Sequence, residues 1–298
     1  MRHVLKLTAA ATVLAAGVGT AAGADENLLG YVRGAETLPK GAWEGYQIVT
    51  VRDGKGTGDY QAIDTTTELE YGVSDAFDVS GAIQTLSVDT SGILIDAYIP
   101  GDESYTLNPS AIEVGFKYNF LRPAADGIGL STAFDLTYGW RDVHSGQDKD
   151  TISGELALLL QRYLMEGQVV LVGNLAGEAT WADRAEIADL PDGFEWPTDP
   201  EMEIELTAGT GVSYRFAPNW YIGAEAVYQT EFETEVNQER WSLFAGPSLH
   251  YGGRRWWATA TWFPQLDGGG EKYPGQTDDL HLIEKTEQEV RFKVGINF

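Results

Sequence analysis

The segment that most constrains the fold is Glu287 to Phe298, which reads Glu-Gln-Glu-Val-Arg-Phe-Lys-Val-Gly-Ile-Asn-Phe. Val290, Phe292, Val294, Ile296 and Phe298 are apolar at every second position, and Glu289, Arg291, Lys293, Gly295 and Asn297 fall between them. A period of two puts successive side chains on opposite faces, so this is a strand with one apolar and one polar face. The edge strand of a soluble sandwich can share the pattern. A membrane barrel needs it in every strand, because one face meets lipid and the other the lumen.

Comparable segments recur along the chain. The clearest is Ile128 to Arg141, where Ile128, Leu130, Thr132, Phe134, Leu136, Tyr138 and Trp140 alternate with smaller or polar residues. Others are read at about 60–72, 77–88, 110–120, 151–161, 168–181, 201–216, 220–232 and 239–251. Two are poor: the first, near 42–52, has no assignable faces, and the one at 255–265 is ambiguous because Trp256 and Trp257 are adjacent. The count is about twelve, an even number that puts both ends of the barrel sheet on one side of the membrane. Connections alternate in length. Short turns follow the even-numbered strands, long ones follow the third, seventh and eleventh (about 89–109, 182–200 and 267–285), and moderate ones follow the first, fifth and ninth. Periplasmic turns and external loops alternate in this way, whereas a sandwich has no reason to. Aromatic residues are expected in two belts at headgroup level, with Trp140, Trp181, Phe232 and Trp241 at the loop ends. Phe120, Tyr163, Phe216, Trp220, Tyr251 and Phe298 fall at the turn ends.

Residues 1–24 have the marks of an export signal: Arg2, His3 and Lys6, then a short apolar run, then Ala22-Gly23-Ala24 before Asp25. Residues 25–298 then form one all-β, antiparallel, up-and-down transmembrane barrel domain in the outer membrane of a Gram-negative cell. No later run of about 18 apolar residues exists to make a membrane helix. There is no cysteine, hence no disulfide framework, thiolate metal site or lipoprotein anchor. A formal charge of −25 repels nucleic acid. The 35 glycines, 9 tryptophans and 14 tyrosines set the chain apart from a disordered acidic polymer.

If the apolar faces meet lipid, the polar faces line the lumen. That set holds the acids Asp64, Glu68, Glu70, Glu113, Asp135, Glu155, Glu178, Glu203, Glu205, Glu225 and Glu289, and the bases Lys117, Arg141, Arg215, Arg240, Arg291 and Lys293. Enclosed charges are costly unless paired or hydrated. Two readings stay open: a salt-bridge network that fills the lumen of a structural or surface-interaction barrel, or a water-filled path for a small solute. An acid-lined path favours cations and polar neutral solutes over anions.

A hydrolase is the third reading, and the chain is expected not to be an enzyme. No Gly-x-Ser-x-Gly elbow is present. Asp142, His144 and Ser145 are neighbours in one loop, and sequence adjacency does not make a triad. His250, near a turn, reads as a structural hydrogen-bonding residue. No ligand spacing points to a metal or cofactor, and the acidic stretches 53–59 and 182–200 read as solvated loops.

Thr37-Leu38-Pro39-Lys40-Gly41-Ala42-Trp43-Glu44 and Glu70-Tyr71-Gly72-Val73-Ser74-Asp75-Ala76-Phe77-Asp78 resemble a pattern in small proteobacterial outer-membrane proteins. In that group a Leu-Pro-Lys-Gly lead-in enters the first strand, and a Tyr-Gly-hydrophobic-Ser/Thr-Asp turn joins the second and third. The group includes uncharacterised barrels and relatives of the putative transporters of the meta-pathway of phenol degradation. The resemblance implies a barrel, an aromatic or otherwise hydrophobic solute, and no transferable site residue. Expected partners are outer-membrane lipid and lipopolysaccharide, periplasmic chaperones, the barrel-assembly machinery and a small solute. The resemblance also implies a terminal assembly signal, carried here by Phe292, Val294, Ile296 and Phe298. Deleting Phe298 is expected to lower the amount of assembled barrel, read as the heat-modifiable band of outer-membrane fractions; unchanged assembly would count against that role.

Overall fold

In a computed structural model, residues 27–233 and 238–298 are described; the expected export signal lies outside them. Twelve strands follow in order: β1 (Trp43–Asp53), β2 (Asp59–Ser74), β3 (Phe77–Ser91), β4 (Ser104–Leu121), β5 (Gly129–Arg141), β6 (Asp148–Leu164), β7 (Val169–Arg184), β8 (Glu201–Ala217), β9 (Trp220–Glu233), β10 (Gln238–Gly252), β11 (Trp256–Gly269) and β12 (Gln288–Asn297). Each pairs antiparallel with its sequence neighbours, and β12 pairs with β1 from Glu44↔Asn297 to Asp53↔Gln288. Closure leaves no row of unpaired backbone groups at an edge.

Lengths differ from the sequence reading at the loop ends. β3 and β4 extend further, so the connection between them is 92–103 rather than 89–109, and β6 begins at Asp148 and runs to Leu164. The residues added at 89–91 and 148–150 are polar and those at 104–109 and 162–164 are mixed, and ladder hydrogen bonds carry a strand beyond the point where its apolar alternation stops. The turns are tight: Asp75-Ala76 joins β2 to β3, and Pro218-Asn219 joins β8 to β9, with Asn219 at φ +67°.

Closure also settles the two ambiguous strands. In β1 the inner face is Glu44, Tyr46, Ile48, Thr50 and Arg52, and β12 sets Thr50 against Arg291 and Ile48 against Lys293. Trp256 points outward and Trp257 inward, where its Nε1–H donates to Glu44. The outer surface carries an exposed apolar band including Ile112, Val114, Leu136, Leu156, Leu175 and Leu206. Aromatic contacts mark both rims: Trp43–Tyr71 and Trp220–Tyr251 at the turn end, Tyr138–Trp140 and Tyr228–Trp241 at the loop end. Tyr163 is a correction to the expected belt. It faces the lumen, where its hydroxyl donates to Glu36 at 2.6 Å, because the odd-numbered residues of β6 point inward.

Candidate functional site

The lumen is occupied by the chain itself. Residues 27–41, ahead of β1, enter the barrel as an irregular strap against the inner wall. Buried irregular backbone must find hydrogen-bond partners, and wall side chains supply them. The Glu225 carboxylate accepts the N–H groups of Gly30, Tyr31 and Val32 at 2.7, 2.8 and 2.9 Å. Asn174 accepts from the Arg33 N–H and donates to its carbonyl, at 2.7 and 2.8 Å, as a neighbouring strand would. Gln161 accepts from Ala35 N–H, while Asn119 and Ser131 donate to the Ala35 carbonyl. Asp78 accepts from Leu38 N–H.

The apolar side of the strap is equally fitted. Leu28, Leu29 and Val32 pack with inward-facing Val170, Val172, Tyr221, Val227, Phe244 and Phe263. Tyr31 stacks on Phe263 at 4.1 Å between ring centres, and the Arg291 guanidinium lies over its other face at 3.7 Å. Gly211 makes room for Leu29: a Cβ there would stand 2.2 Å from Leu29 Cδ1.

Around the same wall runs a row of carboxylates. The ladder sets Asp135 opposite Glu155, Glu155 opposite Glu178, Glu178 opposite Glu205, and Glu205 opposite Glu231. Like charges directly across a pair of strands are destabilising. Their counter-charges come from outside the row. Arg33 of the strap bridges Asp135 and Glu155 at 2.8 and 2.7 Å. Lys285, from the loop before β12, bridges Glu205 and Glu231 at 3.0 and 3.2 Å, and Arg240 of β10 stands 3.4 Å from Glu231. Glu178, between the two bridged pairs, accepts from Thr180.

Loops cover the external mouth. Ile93, Ile95, Tyr98 and Ile99 of the β3–β4 loop pack with Tyr60, Leu86, Val88 and Ile283. Arg52 chelates Asp64 through Nε and Nη2 at 2.6 and 3.0 Å and donates to the Val143 carbonyl. Lys55, fully enclosed, donates to the Glu284 carbonyl at 2.7 Å and stands 3.2 Å from His144 Nδ1. Burial holds the Lys55 ammonium well below its ordinary value, with the Arg52 charge adding to the effect. Burial does the same to the His144 imidazole, helped by Lys55.

Between strap and lid a cavity of about 480 Å³ runs beside β1–β5, from Asp78 and Lys117 near the turn end to Arg52 and Asp64 near the loop end. Glu68 and Glu113 face it, and Glu113 accepts from Gln84 and Thr137, both neutral. Of the other inward residues expected from sequence, Glu70 and Asp135 also line this space, Glu289 accepts from the Tyr31 hydroxyl, and Lys293 donates to Asn27 of the strap. Glu203 lies one ladder step from the row, opposite Thr180. Arg141 pairs with Asp148 at the loop rim, and Arg215 is exposed at the turn rim, so neither joins the cavity.

The Asp142–His144–Ser145 group is a turn. Asp142 Oδ1 accepts from the His144 and Ser145 N–H groups and from the Ser145 hydroxyl at 3.0 Å, so that hydroxyl is directed at the carboxylate rather than the imidazole. His250 shares a hydrogen bond with Thr259 in the wall. Sequence reading gave no role to the strap, although inward Asn119, Gln161 and Asn174 and the inward apolar residues of β7, β9, β10 and β11 were its signal.

Two outcomes follow. Glu225→Ala removes the acceptor of three strap N–H groups, each a charge-assisted bond of about 1.5–3 kcal/mol. Residues 27–35 should then exchange amide hydrogens far faster, while the barrel keeps its heat-modifiable migration; unchanged protection would show that the seat does not depend on Glu225. The His144 shift sets a pH dependence. The unfolded loop takes up a proton below about 6.5 and the closed loop does not, so lid stability falls as pH falls through that range. Protease cleavage within 142–147 should therefore rise between pH 7.5 and pH 5, and equal cleavage at both values would contradict it.

The sequence matches no curated protein. In structure the chain is similar to the COG4313 outer membrane channel from Pseudomonas putida F1, with a TM-score of 0.58 at 14% identity over 89% of this chain and 98% of that one. It is also similar to the β domain of the Bordetella autotransporter BrkA, with a TM-score of 0.50 at 13% identity over 86% of this chain and 98% of that one. At such identities the likeness is one of fold, that of an outer-membrane barrel. Residues 21–298 match DUF6662, a family of unknown function, and the chain belongs to that family.

Proposed function

We propose that this protein is an outer-membrane passage for a small polar or cationic solute, which travels beside the strap along β1–β5. The observation that carries this reading is the cavity left beside the strap, lined along β1 by Tyr46, Ile48, Thr50 and Arg52. Of the cations that line it, Arg33 pairs with Asp135 and Glu155 and Arg52 with Asp64, Arg291 and Lys293 contact Tyr31, Thr50 and Asn27, and Lys117 stands opposite Asp78 at the turn end. Acids outnumber bases in the lining by six to five, and Glu68 and Glu113 place acidic groups along the middle of the path, an arrangement that favours cations over anions. The acidic wall favours a polar solute over the aromatic or hydrophobic one suggested by the meta-pathway resemblance. The chain is then exported by residues 1–24, inserted by the assembly machinery and surrounded by lipid and lipopolysaccharide.

A second reading is a non-conducting barrel. The observation in its favour is that strap and lid fill or cover so much of the lumen that their charges act as structure alone.

Single-channel recording separates the two. The full chain should carry a small cation-selective current, deletion of residues 27–38 should enlarge it several-fold, and Glu68→Gln with Glu113→Gln should reduce the preference for K⁺ over Cl⁻. Silence from the full chain and from the strap deletion, with no solute flux in liposomes, would sink the passage and leave the non-conducting barrel.

A further inference from the structure

The last external loop places an imidazole and two carboxylates together at a point that sequence spacing does not reveal. His281 and Glu284 lie on the β11–β12 loop, three residues apart, and Glu231 lies on β9, about fifty residues earlier in the chain. One donor atom from each falls within a common span of 4.8 Å. His281 is 1% exposed, and neither ring nitrogen makes a hydrogen bond, although Nε2 points to Glu284 Oε2 at 3.8 Å. A buried imidazole with both nitrogens unbonded forfeits its hydration without return.

The charges around this point do not balance. Among the described residues, Glu205, Glu231, Glu239 and Glu284 supply four carboxylates, Arg240 and Lys285 supply two cations in contact with them, and Lys55 reaches the Glu284 carbonyl as a third. Both oxygens of Glu231 touch a cation, Oε1 with Lys285 at 3.2 Å and Oε2 with Arg240 at 3.4 Å, and the open side of the group lies between Glu284 and the imidazole. Arg240 Nη1 contacts Glu284 Oε1, at 3.3 Å, whereas Glu284 Oε2 faces the imidazole. Lys285 contacts Glu231 Oε1 from the Glu205 side. The excess of carboxylates, enclosed and adjacent, needs a further positive charge or a shared proton.

We propose that Glu231, His281 and Glu284 bind one divalent transition-metal ion. A donor set of one nitrogen and two oxygens suits Zn²⁺ and its first-row neighbours, whereas Ca²⁺ and Mg²⁺ take oxygen donors. Ligands about 2.1 Å from a common ion stand roughly 3–4 Å apart, so small side-chain rotations close the site. The ion neutralises the excess charge and gives the imidazole its missing partner. It also staples the loop to the barrel wall, since two ligands come from the loop and one from a strand. The same loop contributes Ile283 to the apolar lid, so the metal holds the lid down.

The test uses untagged full-length barrel refolded in detergent, with Zn²⁺ and Co²⁺ as probes. Equilibrium dialysis should leave one Zn²⁺ per chain in the presence of millimolar Mg²⁺ and Ca²⁺. His281→Ala and Glu284→Gln should each weaken binding roughly tenfold or more, with heat-modifiable migration confirming that the variants are folded. Zn²⁺ should also raise the temperature at which the wild-type barrel unfolds, and chelation should reverse this. Absence of stoichiometric uptake by the wild type, or uptake unchanged in both folded variants, would overturn the site and leave a shared proton in the ion's place. If the variants do not fold, the Co²⁺ visible spectrum of the wild type decides. The intense bands of four- or five-coordinate Co²⁺ support the site, and the weak bands of hydrated Co²⁺ refute it.

Discussion

Five carboxylates meet side by side around the inner wall, from Asp135 through Glu155, Glu178 and Glu205 to Glu231. The backbone ladder brings them together, and the backbone ladder cannot relieve them. Relief comes from Arg33 at one end and from Lys285 and Arg240 at the other. Arg33 belongs to the strap and Lys285 to the last external loop. The row is therefore a physical tie between two segments that are not part of the barrel sheet and do not touch through it. A charged wall that would oppose closure of an empty barrel becomes the reason the strap and the lid have fixed places.

The strap solves a second problem by different means. A lumen of this size cannot be filled by the side chains of twelve strands alone, and water in it would hydrate every charge. Filling one side with backbone instead demands an acceptor or donor for each peptide group, and Glu225, Asn174, Gln161, Asn119 and Asp78 are placed to meet that demand. The fit is one-sided. Residues 28–35 of the strap are held by side chains of β4 to β12, and the residual cavity lies along β1 to β5. That asymmetry gives the passage reading its content, because a plug packed evenly around the wall would leave no continuous space.

Much of this was legible in the sequence. The period of two in β5 and β12, the alternation of short and long connections and the even strand count led to the closed antiparallel barrel that is found. The same alternation gave the expected inward set from Asp64 to Lys293, from which Arg141 and Arg215 depart at the rims. What parity could not supply was the strap. Residues 27–41 have no period, and their structure depends on side-chain acceptors for their N–H groups between 35 and 195 residues away. Nor could parity judge β1, whose inner face mixes Tyr46 and Ile48, both lining the cavity, with Glu44, Thr50 and Arg52. Tyr163 was misplaced for another reason: β6 runs on past Gln161 to Leu164, and its alternation carries on and turns Tyr163 inward to Glu36.

The sequence by itself determined the class of fold, because alternation is a local property that each strand carries without reference to the others. It also determined that the interior would be charged and mostly acidic. The tertiary structure alone decided how those charges combine. Register brought five acids into one row, closure set β1 against β12, and the chain entering and leaving the barrel delivered Arg33, Lys285 and His281 to partners that no spacing in the sequence connects. Charges act through distance in space, and in a barrel that distance is set by the ladder rather than by position along the chain.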